Sequence, residues 1–370
     1  MFGIALAINY HVLNFKEDTV MKKGHPLGLH RVISPKGVLP QPADVIDNSM
    51  EIYDNEILID VKTLNIDSAS FTQIYNQANK NVENVKEIML SIVEKSGKMK
   101  NPITGSGGML IGTVKEIGPA LKDKTPLKVG DKIATLVSLS LTPLKIHEIT
   151  HIRPEIDQVD IIGEAILFES GIFAVIPHDL PENLALSVLD VAGAPAQTAR
   201  LVQAGQTIVV LGGGGKSGIL CLYEAKKRAG VNGKVVCVEY STTSLNRIKS
   251  LEEQGVRLAD IYIQADCTDA ISIMNHILEI TNGKLADVVI NNLNVPNTEM
   301  ATILSTKNKG TSYFFSMATN FTKATLGAEG VGKDVNMVMG NGYTEGHANE
   351  ALQIMRECKP LKELYQKLYA

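Results

Sequence analysis

Hydrophobic and polar positions follow two different patterns along the chain, and the change between them falls near Pro181. Between Gly24 and residue 180, short apolar stretches are separated by turns rich in glycine and proline, which is typical of β-strands. Glu56–Asn65 alternates most regularly, whereas Asn81–Lys95 carries apolar residues at helical spacing. This part of the chain therefore predicts a mostly β domain with a small, barrel-like sheet. Further strands are predicted at His30–Ser34, Val38–Leu39 and Ala165–Ile176, and Ile66–Ser70 is predicted to be a polar loop.

After Pro181 the pattern becomes an alternation of apolar strands with single helices. Strands that are separated by one helix each imply right-handed crossovers and a parallel sheet, so this part predicts a doubly wound α/β domain. The predicted strands are Ile208–Leu211, Val235–Glu239, Ile261–Gln264, Val288–Asn291 and Thr311–Met317. The predicted helices between them are Ser217–Ala229, Thr243–Glu253, Ala270–Thr281 and Asn297–Leu304.

These patterns predict a division of the 370 residues into four segments. Residues 1–20 form an apolar N-terminal extension without the basic region or cleavage site of a secretory signal, and no function is assigned to them. Residues 21–185 form the β-rich domain, and residues 186–340 form the doubly wound domain. Residues 341–370 are predicted to be C-terminal helices that pack back on the body of the protein.

A glycine-rich turn between a strand and a helix is the most informative local motif. The apolar run Thr207–Leu211 leads into four glycines and then into a helical pattern, and Gly213, Gly215 and Gly218 fit G-x-G-x-x-G. Glycines in this position let the backbone approach a pyrophosphate, which the N-terminus of the helix then binds. The cofactor-binding residues predicted here are Gly212, Gly213, Gly214, Gly215, Lys216, Ser217 and Gly218.

An acidic residue at the end of the next strand indicates which dinucleotide is bound. Glu239 lies 21 residues after Gly218, where a carboxylate accepts the ribose hydroxyls of NAD and repels the extra phosphate of NADP. Asn291 and Asn292 end the fourth strand of this domain, at the edge where such sheets present the cofactor crevice. We therefore predict an NAD site of the Rossmann type that also includes Tyr240, next to Glu239.

A phosphate-binding loop of the nucleotide triphosphatases is the main alternative to this interpretation, because Gly215-Lys216-Ser217 imitates G-K-S. That motif needs a glycine where this chain has Val210. A second partial match, Gly327–Asp334, ends in an aspartate where a serine or threonine must hold magnesium. Both departures argue against triphosphate hydrolysis.

Composition and charge exclude some classes of partner. The formal net charge of −4 favours neither nucleic acid nor an anionic membrane as a partner. The cysteines are scattered and lack the spacing of metal ligands, and we interpret them as reduced residues of a cytoplasmic protein. They are Cys221, Cys237, Cys267 and Cys358.

Several runs of sequence resemble the medium-chain dehydrogenase/reductase superfamily, in particular Val114–Gly118, Leu127–Ile133 and Ala192–Arg200. This resemblance implies a GroES-like β-rich domain followed by a Rossmann domain, and a homodimer. Longer runs are more specific and are similar to the L-erythro-3,5-diaminohexanoate dehydrogenase family. They are His30–Asn48, Glu51–Ile74, Asn101–Val114, Asp131–Leu144 and Leu189–Val202.

The family resemblance implies a reaction. Its members use NAD to oxidise the 3-amino group of (3S,5S)-3,5-diaminohexanoate, a diamino acid of lysine fermentation, and release ammonia with 5-amino-3-oxohexanoate. The zinc-dependent members of the superfamily carry Cys and His on two loops, which correspond here to Asn65–Ser68 and Gly105–Gly108. Neither loop contains Cys or His, so no metal is expected.

The implied substrate carries two ammonium groups and one carboxylate, so the site needs a proton acceptor and a second acid. Asp67 and Ser68 occupy the first of the two loops, which the family places near the nicotinamide. Glu169 lies in an apolar run, and Asp190 lies in an apolar helical pattern facing the cofactor entry. We predict these four residues as catalytic and Thr198 as a contact of the nicotinamide or its ribose. Which acid is the base stays open.

Two other functions remain compatible with this sequence. One is a zinc-less quinone or enoyl reductase of the same superfamily, although such enzymes usually use NADPH, which Glu239 disfavours. The other is a Rossmann protein that senses the redox state of NAD without turnover.

Overall fold

The N-terminal part of the molecule is built around an antiparallel β-sheet. The computed structural model describes residues 21–316, 318–340 and 342–370, so the predicted extension 1–20 lies outside it. The strands of this part are β1 (Val32–Ser34), β2 (Val45–Ile46), β3 (Glu56–Asn65), β4 (Met109–Ile117), β5 (Lys132–Thr135), β6 (Leu144–Arg153), β7 (Gln158–Phe168) and β8 (Phe173–Val175). Its helices are α1 (Ser68–Gln77) and α2 (Val82–Ser96).

Strand β3 lies at the centre of this sheet, whose strand order is β6-β7-β3-β4-β5-β8. Asn65, the last residue of β3, pairs with Gln158 of β7, while Glu56 at the other end of β3 pairs with Phe168. The two ends of β3 are therefore separated by the length of a strand of ten residues, about 30 Å at the usual rise per residue. This separation decides which predicted site residues lie together.

Several predicted elements of this part need correction. Residues 29–31 form a 3₁₀ turn, so the first strand begins only at Val32, and Val38–Leu39 is not a strand. The predicted loop Ile66–Ser70 contains the start of α1. The predicted β stretch Ala165–Ile176 is broken by a turn between β7 and β8, and Glu169 lies in that turn.

The C-terminal part contains the parallel sheet that the sequence predicts, with a sixth strand in addition to the five predicted ones. Its strands are β9 (Thr207–Leu211), β10 (Lys234–Glu239), β11 (Ile261–Gln264), β12 (Ala286–Asn291), β13 (Thr306–Phe314) and β14 (Asn336–Met339). The helices among them are α5 (Lys216–Ala229), α6 (Thr242–Lys249), α7 (Ala270–Ile280), α8 (Glu299–Ser305) and α9 (Phe321–Gly330). The strands are parallel in the order β11-β10-β9-β12-β13-β14, which places β9 and β12 side by side where the direction of winding reverses.

The predicted boundaries in this sheet agree closely except at β13 and α6. Strand β13 begins at Thr306 rather than Thr311, and its register against β12 is interrupted near the start, with Lys309 at φ 63°. Helix α6 ends at Lys249, and residues 250–254 continue as a 3₁₀ turn. The predicted last residue of β13, Met317, lies outside the described residues.

Four helices pack on one another and on α5, which itself lies against β9 and β10, and they join the parallel sheet to the N-terminal part. They are α3 (Glu182–Leu189), α4 (Gly193–Leu201), α10 (His347–Glu357) and α11 (Lys359–Tyr369). One hydrophobic cluster includes Ile111 of β4, Leu186 of α3 and Val210 of β9, so both parts of the chain contribute to a common core. The predicted domain boundary at residues 185 and 186 falls inside α3.

The observed architecture confirms the predicted fold class, an α/β protein with a β-rich N-terminal domain and a Rossmann domain. Among the helices of the described ranges, none combines the length and the apolar character that crossing a bilayer would require.

Candidate active site

The glycine turn between β9 and α5 has the geometry of a dinucleotide-binding turn. Gly212 has φ 76°, a conformation that favours glycine, and α5 begins at Lys216. A Cβ atom on Gly213 would lie 2.5 Å from Cys237 Sγ, so only glycine fits there. Ser217 and Gly218 are buried in the first turn of α5. The free amide groups at the start of this helix are suited to bind a pyrophosphate.

Glu239 ends β10 beside this turn. Its Oε2 accepts a hydrogen bond from the amide of Gly214 at 2.9 Å, and its Oε1 accepts one from the amide of Ser241 at 2.9 Å. Carboxylate oxygens each have two lone pairs, so Glu239 retains acceptor capacity for hydroxyl groups. Tyr240 points outward and is 70% exposed.

Arg247 of α6 borders the same turn, and the sequence alone did not single it out. Its Nη2 donates to the carbonyl of Gly214 at 3.4 Å and to Ser244 Oγ at 3.1 Å. Its Nε is buried and has no hydrogen-bond partner among the described residues. A guanidinium group therefore lies near Glu239 at the position where the ribose of a dinucleotide would bind.

The two asparagines at the end of β12 have different environments. Asn291 is fully buried, and its amide donates to the side chains of Thr298 and Thr302, so it ties β12 to α8. Asn292 accepts a hydrogen bond from Cys221 Sγ at 3.7 Å, while its buried Nδ2 finds no acceptor in the described part of the chain. Asn292 therefore offers a donor in the crevice between β9 and β12.

Thr198 of α4 is fully buried next to Cys221 of α5. Its Oγ1 donates to the carbonyl of Ala194 at 2.8 Å. Burial raises the pKa of the neighbouring Cys221 thiol to about 12, although Thr198 and Asn292 act in the opposite direction through hydrogen bonds. Cys221 is therefore a protonated core residue and not a nucleophile.

An acidic cluster lies where the two parts of the chain meet. Lys216, the first residue of α5, forms an ion pair with Asp190 at the end of α3, with Nζ and Oδ2 2.7 Å apart. Ser68, the first residue of α1, donates its hydroxyl proton to Asp157 Oδ2 at 2.6 Å. Asp67 caps α1 by accepting the amide of Ser70 at 3.0 Å. Three of the four predicted catalytic residues thus lie close to a predicted cofactor residue, Lys216.

Asp157 is the member of this cluster that sequence reasoning missed. It lies in the turn between β6 and β7 with φ 58°, and its carbonyl accepts the amide of Ile66 at 3.0 Å. Burial raises the pKa of Asp157; Ser68 and Lys216 lower it, and Asp190 and Asp67 raise it. A polar turn that ends in aspartate before a regular strand, IRPEIDQV, is the sequence signal that could have indicated this residue.

Glu169 is the one predicted catalytic residue that the structure does not bring into the cluster. It follows β7 at the end of the sheet where Glu56 pairs with Phe168, opposite to the end that leads into Asp67. Glu169 accepts hydrogen bonds from Asn55 at 2.9 Å and from Lys124 at 3.1 Å, and the Asn55 bond is the main cause that lowers its pKa. Glu169 is therefore a turn residue that forms an ion pair with Lys124.

The loop Gly105–Gly108 is fixed beside the start of α1. A Cβ atom on Gly108 would lie 2.8 Å from the amide nitrogen of Asp67, and Asn101 donates to the carbonyl of Ser70 at 3.2 Å. Within the described residues no group of three or more His, Cys, Asp or Glu side chains is arranged to hold a metal ion. The expectation that the protein uses no metal stays a prediction.

Comparisons with known proteins identify the family. A sequence model of the L-erythro-3,5-diaminohexanoate dehydrogenase N-terminal domain matches residues 30–177. The L-erythro-3,5-diaminohexanoate dehydrogenase of Fusobacterium nucleatum is 59% identical over 94% of this chain and 100% of its own length. The enzyme of the same name from Acetoanaerobium sticklandii is 56% identical over 94% of this chain and 99% of its own length.

Solved structures agree with the fold. A mycobacterial protein solved in complex with NADPH has a TM-score of 0.51 and 17% identity, with 95% of each chain covered. The JamJ enoyl reductase has a TM-score of 0.50 and 14% identity, covering 85% of this chain and 80% of its own. These two structures support the fold alone, whereas the identity to named dehydrogenases over nearly the whole chain assigns an oxidoreductase. The chain belongs to the L-erythro-3,5-diaminohexanoate dehydrogenase family.

Proposed function

We propose that this protein is an NAD-dependent amine dehydrogenase. It oxidises (3S,5S)-3,5-diaminohexanoate at carbon 3 and releases 5-amino-3-oxohexanoate and ammonia, as a step of lysine fermentation. The substrate is that named for the two bacterial relatives. The structural observation that supports it best is the cluster of Asp67, Asp157 and Asp190 beside the glycine turn, because a substrate with two ammonium groups needs several carboxylates.

The residues around the glycine turn fit a dinucleotide. The amide groups of Lys216, Ser217 and Gly218, in the first turn of α5, would hold the pyrophosphate, and Glu239 would accept the ribose hydroxyls. The unpartnered Nδ2 of Asn292 would gain an acceptor from the carboxamide of a nicotinamide ring. When bound, the oxidised nicotinamide supplies the acceptor for the hydride. Because Glu239 is a carboxylate, we propose NAD rather than NADP, despite the nearby Arg247.

The acidic cluster would carry out the proton transfers. An ammonium group has no free lone pair, so a carboxylate must first remove one proton from the 3-ammonium group of the substrate. The lone pair of the resulting amine supports departure of the hydride from carbon 3 and leaves an iminium ion. Water then adds to this ion, and ammonia leaves as the ketone forms. Lys216 would hold the Asp190 side chain in place through their ion pair.

The experiment that tests this function measures NADH and ammonia together. Purified protein is mixed with NAD and 3,5-diaminohexanoate, and we expect NADH and ammonia to form in equal amounts. Gly213→Ala serves as the matched control, because its Cβ atom would displace Cys237 and distort the turn. Absence of NADH formation would contradict the proposal, and binding of NADH without turnover would favour the NAD sensor. Reduction of a quinone or enoyl substrate by NADPH would favour the reductase.

We also propose that the active species is a homodimer in the cytoplasm, without nucleic-acid or membrane partners. The superfamily resemblance supports the dimer, and the modest negative charge supports the absence of anionic partners. Light scattering on the purified protein measures the assembly, and a monomeric active enzyme would contradict it.

A further inference from the structure

Two carboxylates of the acidic cluster form no ion pair within the part of the chain that the structure describes. Asp190 is paired with Lys216 at 2.7 Å. Asp67 and Asp157, in contrast, have no Lys, Arg or His nitrogen within ion-pair distance among the described residues. The substrate of the proposed function brings two ammonium groups. The number of unpaired carboxylates therefore equals the number of cations that the substrate supplies.

We propose that Asp157 takes the proton from the 3-ammonium group of the substrate, whereas Asp67 binds the 5-ammonium group. This inference rests on the proposed function and assigns separate roles to two acids of its site. Ser68 is a positioning residue, because its hydroxyl binds Asp157 and its backbone follows Asp67 directly.

The position of Asp157 suits a proton acceptor. Its Oδ2 is held by Ser68, while its Oδ1 accepts no hydrogen bond within the described part of the chain and can face a ligand. The charged groups that face it are Lys216 of α5, Asp190 at the end of α3 and Asp67 at the start of α1. Burial raises the pKa of Asp157, which brings its affinity for a proton closer to that of an amine.

The position of Asp67 suits a binding residue. Its Oδ1 is used to cap α1, whereas its Oδ2 is buried and has no hydrogen-bond partner among the described residues. A buried carboxylate oxygen without a donor is unfavourable, and a bound ammonium group would satisfy it. Asp67 precedes Ser68 in the chain and Asp157 accepts the hydroxyl proton of Ser68, so both carboxylates belong to one site. The two carbons that carry the amino groups of 3,5-diaminohexanoate are separated by only one carbon, which lets one molecule present both groups to this site.

The proposed proton transfer balances with the overall reaction. Asp157 gains one proton as the N–H bond of the 3-ammonium group breaks. The C3–H bond then breaks, and its hydrogen leaves with both electrons as a hydride that NAD⁺ would accept. Water converts the remaining iminium ion into ketone and ammonium. Return of the proton from Asp157 to solvent completes the cycle. The sum is substrate, NAD⁺ and water giving oxo acid, NADH, ammonium and one proton.

Two asparagine variants test the roles while keeping the backbone. Asparagine tolerates the positive φ of position 157, and it caps a helix as well as aspartate does at position 67. The matched control is Asp123→Asn, which changes an exposed acid outside the cluster. Each variant is assayed with NAD and two substrates, 3,5-diaminohexanoate and 3-aminohexanoate, which lacks the second amino group.

The two variants should differ in the kinetic constant that changes. We expect Asp157→Asn to lower kcat about 100-fold or more at neutral pH with both substrates, with partial recovery at alkaline pH, where the substrate amine is already deprotonated. We expect Asp67→Asn to raise the KM for 3,5-diaminohexanoate about tenfold, the equivalent of about 1.4 kcal/mol, and to leave 3-aminohexanoate unaffected. Asp123→Asn should behave like the wild type.

Each alternative outcome has a defined meaning. A kcat of Asp157→Asn close to wild type, or a loss without recovery at alkaline pH, would overturn its assignment as the base. An equal change of both substrates in Asp67→Asn would indicate a structural role instead. If the wild type forms no NADH, the proposed function fails, and calorimetric binding of 3,5-diaminohexanoate then tests the inference separately. Equal affinity of wild type and both variants would overturn it.

Discussion

At the scale of single residues, Asp157 combines several features that are unfavourable for stability. It adopts φ 58°, it is half-buried, and two further carboxylates lie close to it. Residues with such conformations persist only where the surrounding structure holds them, and here Ser68 and the amide of Ile66 do so. A residue that lowers the stability of the fold in this way is typical of active sites.

Asp157→Asn should therefore stabilise the protein at neutral pH. The folded state raises the pKa of Asp157 above 3.8, so folded protein binds this proton more tightly than unfolded protein. Ionised Asp157 therefore lowers the free energy of unfolding. This cost is absent below about pH 3.8, grows as pH rises toward the pKa of Asp157 in the folded protein, and is complete above that pKa. We expect the variant to melt higher than wild type at pH 7 and to lose this advantage in acid. Thermal melts across pH measure this, and a lower melting temperature at pH 7 would refute it.

Glu239→Ala should relax the proposed preference for NAD over NADP. The carboxylate repels a 2′-phosphate, and without it the nearby Arg247 is free to attract one. We expect the ratio of kcat/KM for NADP to that for NAD to rise at least about tenfold, or about 1.4 kcal/mol. Steady-state rates with both cofactors measure the ratio. Arg247→Ala in the same background should cancel the gain, and an unchanged ratio would exclude Glu239 from this role.

At the scale of elements, α1 is the part of the β-rich domain that sets the geometry of the site. It starts directly after β3, where Asp67 caps it, and its first residue, Ser68, reaches the turn between β6 and β7. The loop ending in Gly108 packs against the same helix start. The first turn of α1 is thus fixed from two sides, which holds Asp67 and Ser68 in place.

The cap of α1 allows the structural role of Asp67 to be tested separately from its proposed role in binding. Asp67→Ala removes the acceptor for the amide of Ser70 and should cost about 1 kcal/mol of stability, whereas Asp67→Asn keeps the cap and should cost a few tenths at most. Urea unfolding of both variants measures the difference. Equal destabilisation by both substitutions would mean that the charge, rather than the cap, supports the fold here.

The sequence predicts some of these elements well and others poorly, for physical reasons. The strand, glycine turn and helix from Thr207 onward are a local pattern, so their prediction succeeded. Helix α1 begins with Ser-Ala-Ser, a composition that is typical of loops. Only the capping hydrogen bond of Asp67 in the structure indicates that a helix starts there. Asp157 is 89 residues from Ser68, and only the pairing of β3 with β7 brings them together. Contacts of that kind depend on register, which local periodicity does not encode.

At the scale of the whole molecule, the site depends on both parts of the chain. Asp67, Ser68 and Asp157 come from the β-rich part, whereas Asp190 and Lys216 come from α3 and α5. A shared hydrophobic core that includes Ile111, Leu186 and Val210 packs these parts against each other. The cluster therefore forms only when both parts are folded and docked.

Nucleotide binding should consequently stabilise the whole protein against heat. A ligand present at 100 times its Kd adds about 2.7 kcal/mol to the free energy of unfolding. We expect NADH to raise the melting temperature in one transition shared by both parts, ATP to have little effect, and Gly213→Ala to abolish the shift. Differential scanning fluorimetry measures all three. A shift with ATP equal to that with NADH would favour the phosphate-binding loop over the dinucleotide turn.

The turn between β6 and β7 has a consequence for changing the substrate by protein engineering. It is a short surface connection, residues 154–157, and it delivers Asp157 without contributing to β9, α5 or the glycine turn. Its length and its last side chain could be varied while the cofactor half of the protein stays untouched. A library confined to these four positions and Ser68 would sample new distances between two carboxylates, and thus diamines of different spacing. The length of the diamine that the protein prefers could then be adjusted by changes in the β6–β7 hairpin alone.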